Sequence, residues 1–262
     1  MNKAIYKPKG KAGEYAEWAC NLYVGCSNNC SYCYCKKGVL SHAMGGPVAQ
    51  LKSCFRDEVD AFKVFCRELE KNVEALRTSS LFFTFSSDPM IPETRELTWS
   101  CIMYAISRGV RCQVLTKNAD FHHDFSELVC NPINRLKDNI AFGFTLTKHD
   151  ELEPGASTTG QRIACMNRLH SLGYRTFASL EPIVDPSSTL AVFQRTKGFC
   201  DLYKVGLMSG VSKDYYDKAE VRRMAESMAG SGKPVYFKKS LTDYLDLPAE
   251  DPIDIFKIPQ MI

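Results

Sequence analysis

The chain has 262 residues, of which 45% are hydrophobic, and a formal net charge of +3. That length and apolar content suffice for one domain with a full core, and no break in composition marks a second. Proteins that bind nucleic acid through electrostatic attraction typically have an isoelectric point above about 9. The isoelectric point of this chain, about 8.2, is lower. No apolar run approaches the roughly 18 residues of a membrane span, and the start lacks a signal peptide's apolar segment. We expect a cytoplasmic protein with no membrane partner, and nucleic acid as an allowed but disfavoured partner.

The chain opens on a small basic cluster, Lys3, Lys7, Lys9 and Lys11. These side chains could contact phosphates, but a solvated, partly disordered tail is the interpretation that we favour.

Three cysteines follow the first predicted strand: Cys26, Cys30 and Cys33 have the spacing CxxxCxxC. A tight loop of this kind can bring three thiolates to three corners of a cubane iron-sulfur cluster and leave the fourth iron open to a small molecule. Structural zinc is the alternative, but it normally needs four protein ligands and usually a second paired cluster. No later CxxC or Cys/His pair follows, so the spacing favours a 4Fe-4S cluster.

The other cysteines carry a weaker signal. Cys20 and Cys35 flank the motif, and their role stays open. The rest are scattered singly and are interpreted as small buried apolar residues: Cys54, Cys66, Cys101, Cys112, Cys130, Cys165 and Cys200. Without a secretion signal, we expect reduced thiols rather than a disulfide framework.

Short apolar runs alternate with longer segments of helical periodicity along the rest of the chain. Strands are predicted near residues 19–24, 81–85, 111–116, 140–145, 175–180 and 202–205, with a closing strand at 234–237. Helices are predicted at 57–76, 97–107, 159–172 (ended by Gly173) and 218–229. This alternation predicts an α/β fold, a partial (β/α)6 TIM-like barrel of parallel strands. We assign 1–17 to an N-terminal extension, 18–240 to the barrel core and 241–262 to a C-terminal segment of a single domain.

Functional groups of such barrels gather at the carboxyl ends of the strands. The second strand runs into Ser86, Ser87 and Asp88, although a simple turn also favours these residues. The later strand ends carry candidate groups in the order Lys117, Thr145, Thr147 and Glu181. Solvent exposure is the alternative for Lys117, and β-propensity on a half-exposed strand is the alternative for the threonines. A carboxylate at the position of Glu181 would be costly without a partner.

Lys204 lies inside an apolar stretch at residues 202–206, where a buried lysine implies a partner unless its head group reaches the surface. Weaker candidates for the substrate pocket are Met208, Ser209, Lys238 and Lys239. The segment at 251–262 either covers the barrel opening or packs on its outside.

With Tyr32 in the aromatic position, the cysteine motif resembles the CxxxCxΦC motif of the radical SAM superfamily. The resemblance implies two cofactors: a 4Fe-4S cluster on Cys26, Cys30 and Cys33, and S-adenosylmethionine chelated to its open iron. It further implies reductive cleavage to a 5'-deoxyadenosyl radical that takes a hydrogen atom from the substrate, with an electron donor such as flavodoxin or ferredoxin as a partner. Cofactor contacts are then expected from Tyr32, Ser86, Ser87, Asp88, Lys117, Thr145 and Thr147.

Segments 86–93, 115–117, 153–156 with Arg162, and 179–182 resemble the spore photoproduct lyase-like branch of that superfamily. The first functional hypothesis is a lyase that cleaves a bond in a small-molecule substrate, as the relative queuine lyase does with a modified nucleobase, with Glu181 and Lys204 as catalytic residues. Repair of a nucleic-acid lesion is the second hypothesis. A non-catalytic protein that binds a metal or senses redox state is the third.

Overall fold

A mostly parallel sheet of eight strands forms the centre of the structure, a computed structural model that describes residues 4–38, 41–121 and 136–260. Its strands are β1 (Ile5–Tyr6), β2 (Trp18–Cys20), β5 (Ser80–Phe83), β6 (Arg111–Thr116), β7 (Ile140–Thr145), β8 (Arg175–Ile183), β9 (Leu202–Leu207) and β10 (Val235–Phe237). Two further strands, β3 (Tyr23–Val24) and β4 (Gln50–Leu51), form a separate antiparallel pair. Lys3 and Cys130 lie outside the described residues.

The strand order in the large sheet is β1-β2-β5-β6-β7-β8-β9-β10. Strand β1 pairs antiparallel with β2, and every other neighbouring pair is parallel. Since β1 and β10 are the two ends of this order, the described strands form a partial barrel rather than a closed ring. The predicted α/β fold with a partial TIM-like barrel is confirmed, and the predicted closing strand is β10.

Helices connect successive parallel strands, as a parallel sheet requires. They are α1 (Ser41–Met44), α2 (Glu58–Thr78), α3 (Arg95–Ser107), α4 (Leu136–Asn139), α5 (Thr159–Ser171), α6 (Pro186–Thr196), α7 (Lys218–Ala229) and α8 (Lys239–Leu245). Thr158 and Gln161 form a capping box at the start of α5. That reciprocal bonding satisfies two backbone donors that a helix start leaves unpaired.

The first predicted strand, residues 19–24, is wrong as one element. Strand β2 ends at Cys20 because the next side chain, Asn21, accepts hydrogen bonds from the Thr84 hydroxyl (2.6 Å) and the Phe85 amide (2.9 Å). The chain then turns out of the sheet, and β3 pairs with β4 instead.

The tail predicted at the N-terminus is also wrong for the described residues from Ala4 onward. Glu68 accepts hydrogen bonds from the Ala4 and Ile5 amides, and β1 extends the sheet. Lys7 forms an ion pair with Glu17 at 2.5 Å.

The C-terminal segment covers the end of the barrel opposite the carboxyl ends of the strands. Ile255 and Phe256 pack into the interior cluster that contains Phe177 and Leu202. Arg175, the first residue of β8, donates hydrogen bonds to the Ile255 and Ile258 carbonyls. The described part of this segment therefore closes the bottom of the barrel.

Most of the isolated cysteines lie where they were predicted. Cys101, Cys112, Cys165 and Cys200 are buried, as are Cys20 and Cys35. Cys66 is only half-buried and Cys54 is exposed, so the prediction of burial is wrong for Cys54. No helix among the described residues has the length and apolar character needed to cross a membrane.

Candidate active site

A cavity of about 420 Å³ opens at the carboxyl ends of the strands, within the size range of small-molecule sites. Ten of the predicted site residues line it: Cys26, Cys30, Cys33, Tyr32, Ser86, Ser87, Asp88, Lys117, Thr145 and Glu181. Met208, Ser209 and Lys238 line it as well, whereas Thr147 and Lys204 are not among its lining residues.

The cysteine loop is held by backbone contacts with the loop between β7 and α5. The Ser31 amide donates to the Leu152 carbonyl (2.9 Å) and the Gly155 amide donates to the Asn28 carbonyl (3.1 Å). A Cβ at Gly155 would lie 2.0 Å from the Ser27 carbonyl oxygen. This close approach requires glycine at 155, and it fixes the loop that carries the three thiols.

The donor set of the loop suits an iron-sulfur cluster. Burial raises the pKa of Cys26 to about 12, and it also raises the pKa of Cys30. A hydrogen bond from the neighbouring Cys35 thiol lowers the pKa of Cys33. Among the described residues, no three His, Cys, Asp or Glu side chains are grouped closely enough for a single metal ion. A cubane takes one thiolate at each of three irons, and three thiols spread around one cavity match that need.

Asp88 connects the cysteine loop to the end of β6. Its carboxylate accepts hydrogen bonds from the Asn28 side chain (2.8 Å), the Met90 amide (2.9 Å), the Thr116 hydroxyl (2.6 Å) and the Lys117 amide (2.7 Å). A carboxylate has about four lone-pair sites, so these four donors fill it. The geometry therefore gives Asp88 a positioning role.

Two buried oxygen atoms beside Asp88 are unpaired within the described part of the chain, the Ser87 hydroxyl and the Asn28 side-chain carbonyl. Both residues line the cavity. By contrast, the Ser86 hydroxyl donates to the Tyr23 carbonyl at 2.5 Å. Buried polar atoms normally have partners, so Ser87 and Asn28 are suited to accept from a ligand's amino group.

Lys117 presents an ammonium group to the cavity. Its Nζ lies 5.7 Å from the centre of the Tyr32 ring, and no described residue hydrogen-bonds to it. Burial alone would lower the pKa of Lys117, but electrostatic interaction with Cys30 and Glu153 outweighs it and raises that pKa. Lys117 is therefore a cation that can bind an anionic ligand group.

Tyr32 is held in place by a buried ion pair. Its hydroxyl donates to Glu153 Oε1, and Arg162 Nη2 contacts Glu153 Oε2. The side chains of Arg162 and Glu153 are both fully buried, and Arg162 also donates to the Thr145 carbonyl at 2.7 Å. This ion pair explains why the sequence has a glutamate in the loop after β7 and an arginine in α5.

The two threonines of β7 and its following loop are placed differently. Thr145 is the last residue of β7 and lines the cavity. Thr147 is buried beyond the strand, and its hydroxyl accepts from the His149 amide at 3.2 Å. Side chains alternate only within a strand, so the end of β7 separates the two hydroxyls.

Glu181 and Lys238 form an ion pair at the cavity, with Nζ 2.5 Å from Oε2. The Tyr15 hydroxyl donates to the same Oε2 at 2.9 Å and lies 2.7 Å from the Ser179 hydroxyl. Burial and the adjacent Glu181 charge raise the pKa of Tyr15 well above its usual value. Tyr15 is therefore a neutral hydrogen-bond donor in this cluster.

Lys204 lies deeper in the barrel and its side chain is fully buried. Its Nζ donates to the carbonyl oxygens of Glu14 (2.9 Å) and Tyr15 (3.0 Å). Burial lowers its pKa to about 7, and the Lys238 charge contributes. Lys204 therefore contacts Tyr15 rather than the cavity, and it supports the site by holding the Tyr15 backbone in place.

Tyr15 and Asn28 are site residues that sequence reasoning missed. Tyr15 lies 164 residues before its partner Ser179, in a segment assigned to an extension. No local signal could have found it. Asn28 lies inside the cysteine motif, so its amide was a detectable polar signal.

No protein-family model matches the sequence, and no curated protein matches it. Among solved structures, a mutant spore photoproduct lyase with bound AdoMet and dinucleoside spore photoproduct is 17% identical with a TM-score of 0.56. The alignment covers 82% of this chain and 62% of that chain. Streptococcus suis SuiB bound to its precursor peptide SuiA is 12% identical with a TM-score of 0.50, over 71% of this chain and 44% of that chain.

Over the aligned residues this chain therefore shares the fold of spore photoproduct lyase, and the predicted likeness to that branch is confirmed at the level of the fold. The alignment spans less than two thirds of the length of either solved protein.

Proposed function

We propose that this protein is a radical SAM enzyme that holds a 4Fe-4S cluster on Cys26, Cys30 and Cys33. The observation that carries the proposal is that these three thiols share one cavity with the polar strand ends of a spore photoproduct lyase-like barrel. When bound and reduced, the cluster and S-adenosylmethionine supply a 5'-deoxyadenosyl radical that takes a hydrogen atom from the substrate.

Different residues of this chain bind different groups of S-adenosylmethionine. Ser87 and Asn28 offer unpaired buried oxygen atoms to its amino group, and Lys117 offers an ammonium group to its carboxylate. Asp88 fixes the positions of the Asn28 side chain and the end of β6 by accepting hydrogen bonds from both. Tyr32, fixed by Glu153, packs beside Lys117.

The reaction that we propose is a lyase cleavage of a small substrate, with a modified nucleobase such as queuine as the best candidate. The site is a compact cavity, and the net charge is only +3, which favours a small ligand over a long polyanion. The electron would come from a flavodoxin or ferredoxin in the cytoplasm. Repair of a nucleic-acid lesion is the alternative that the fold of spore photoproduct lyase supports.

The test is anaerobic reconstitution, reduction with dithionite and measurement of 5'-deoxyadenosine with a panel of queuine, free nucleosides and short DNA. Stimulation by queuine or another base supports the proposal. Stimulation by lesion-containing DNA alone would favour repair. If no cluster forms and no S-adenosylmethionine is cleaved, zinc becomes the favoured interpretation of the cysteine loop.

A further inference from the structure

The ion pair between Glu181 and Lys238 lines the cavity and has unused hydrogen-bonding capacity. The hydrogen bonds from Tyr15 and Lys238 both reach Glu181 Oε2, and none among the described residues reaches Oε1. Lys238 Nζ contacts Glu181 at 2.5 Å and Glu14 Oε2 at 3.6 Å, which leaves one of its three protons available. The pair therefore offers an acceptor and a donor side by side.

The structure makes room for this acceptor. Gly206, on β9, lies against the pair, and a Cβ there would be 2.9 Å from Glu181 Oε1 and 3.2 Å from Lys238 Cδ. Any larger side chain would press on both groups. The free oxygen thus occupies a space that only glycine leaves open.

Several of the other side chains that line this cavity are aromatic. Tyr15, Phe85, Tyr6 and Tyr34 line the same cavity, and the rings of Tyr15 and Phe85 lie 5.8 Å apart. Aromatic walls favour a flat, unsaturated ligand. Because Glu181 and Lys238 together carry no net charge, they favour a ligand that is neutral overall and has adjacent donors and acceptors.

We infer that Glu181 and Lys238 bind the substrate through the edge of a planar heterocycle that carries N–H donors beside a carbonyl oxygen. Glu181 Oε1 accepts from the ring N–H and the exocyclic amino group, and Lys238 donates to the carbonyl. The 2-amino-4-oxopyrimidine edge of a guanine-type base has this pattern. The inference rests on the proposed function for the site, and it names the substrate edge and the residues that read it.

Tyr15 acts here as a positioning residue. Its hydroxyl donates a hydrogen bond to Glu181 Oε2, which leaves Oε1 to accept from the ligand. Lys204 holds the Tyr15 backbone from below.

Calorimetric binding of three bases to the reconstituted protein tests this inference without radical chemistry. The probes are 7-deazaguanine, 7-deazahypoxanthine, which lacks the amino group, and 7-deazaadenine, which replaces the carbonyl. We expect the loss of the amino group to weaken binding about ten- to hundredfold, since a charged acceptor loses one of its two donors. The adenine analogue should bind more weakly still.

Glu181→Gln should abolish most of this discrimination, and Gly206→Ala should reduce it. Glu74→Gln, on the exposed face of α2, is the matched control and should leave all three affinities unchanged. The affinity for S-adenosylmethionine should be the same in all these proteins.

Equal binding of the three bases, or no binding of any, would overturn the inference on the native protein alone, even if Glu181→Gln failed to fold. Tighter binding of alanine than of any base would assign the pair to an amino-acid zwitterion instead. If Glu181→Gln also loses affinity for S-adenosylmethionine, the ion pair would be assigned to binding of the cofactor instead. Failure of the proposed function is distinguishable, because it appears as absent iron or absent 5'-deoxyadenosine.

Discussion

The Lys204 ammonium group lies 5.2 Å from the centre of the Tyr15 ring and donates a 3.0 Å hydrogen bond to the Tyr15 carbonyl oxygen. A lysine on the sixth parallel strand thereby fixes a tyrosine that precedes the barrel core in the chain. Through Tyr15, this contact supports the Glu181 carboxylate at the cavity.

The buried position of Lys204 predicts a pH-dependent stability. Its native-state pKa of about 7 is below the ordinary value of 10.5, so the unfolded chain binds more protons between these values. The free energy of unfolding should therefore rise with pH from about 7 to about 10. Lys204→Met should lose this rise, because methionine has no group that titrates in this range.

Urea denaturation at several pH values measures this effect. Lys239→Met is the control, because Lys239 is exposed and pairs with Asp243 on the helix surface. An identical pH dependence in native protein and Lys204→Met would show that Lys204 does not carry the lowered pKa.

The ion pair between Arg162 and Glu153 predicts a large stability effect. Glu153→Gln leaves a fully buried guanidinium without its main counter-charge, which should cost about 3–5 kcal/mol. Glu151→Gln, two residues earlier and mostly exposed, should change the unfolding free energy by less than about 0.5 kcal/mol. Comparable values for the two variants in chemical denaturation would refute the role of the buried pair.

The close approach of Gly155 to the cysteine loop predicts a specific loss of cluster loading. Gly155→Ala would place a Cβ 2.0 Å from the Ser27 carbonyl oxygen, so the loop must shift. Iron content after reconstitution should fall by at least about half while the circular dichroism of the barrel stays native. Gly198→Ala, where a Cβ meets nothing within 4 Å, should load normally, and normal loading of Gly155→Ala would count against the account of the loop.

The unpaired hydroxyl of Ser87 predicts a binding defect. Ser87→Ala should weaken S-adenosylmethionine binding about five- to fiftyfold, the effect of losing one hydrogen bond to a charged group, with iron content unchanged. Ser100→Ala on the exposed face of α3 should have no effect. Unaltered affinity in Ser87→Ala would remove this hydroxyl from the cofactor site.

Residues close in sequence were the ones that could be predicted. The cysteine spacing and the polar residues after the strands depend on local order and on the rule that parallel strands end at one edge. The pairing of Glu181 with Lys238 could not be predicted, since Lys238 follows Glu181 by 57 residues. It depends on the strand order of the sheet, in which β8 and β10 lie on either side of β9. The strand-end rule also selects Thr147, but this residue lies past the end of β7. Lys204, selected as a lysine within an apolar stretch, lies two residues before Gly206 on β9.

The three motif cysteines predict that single substitutions abolish the metal site. Cys26→Ala, Cys30→Ala and Cys33→Ala should each lose nearly all iron and all cleavage of S-adenosylmethionine, since a three-ligand site cannot spare a ligand. Cys54→Ala, at an exposed position, should retain both. A motif variant with full iron content would contradict this assignment.

The most direct test of the account is the electron paramagnetic resonance spectrum of the reduced, reconstituted protein before and after S-adenosylmethionine is added. We predict about four iron and four sulfide per chain and a cluster signal that changes when S-adenosylmethionine is added, as an iron open to a ligand requires. A chain that takes up one zinc and no iron, or a cluster signal that S-adenosylmethionine leaves unchanged, would contradict it.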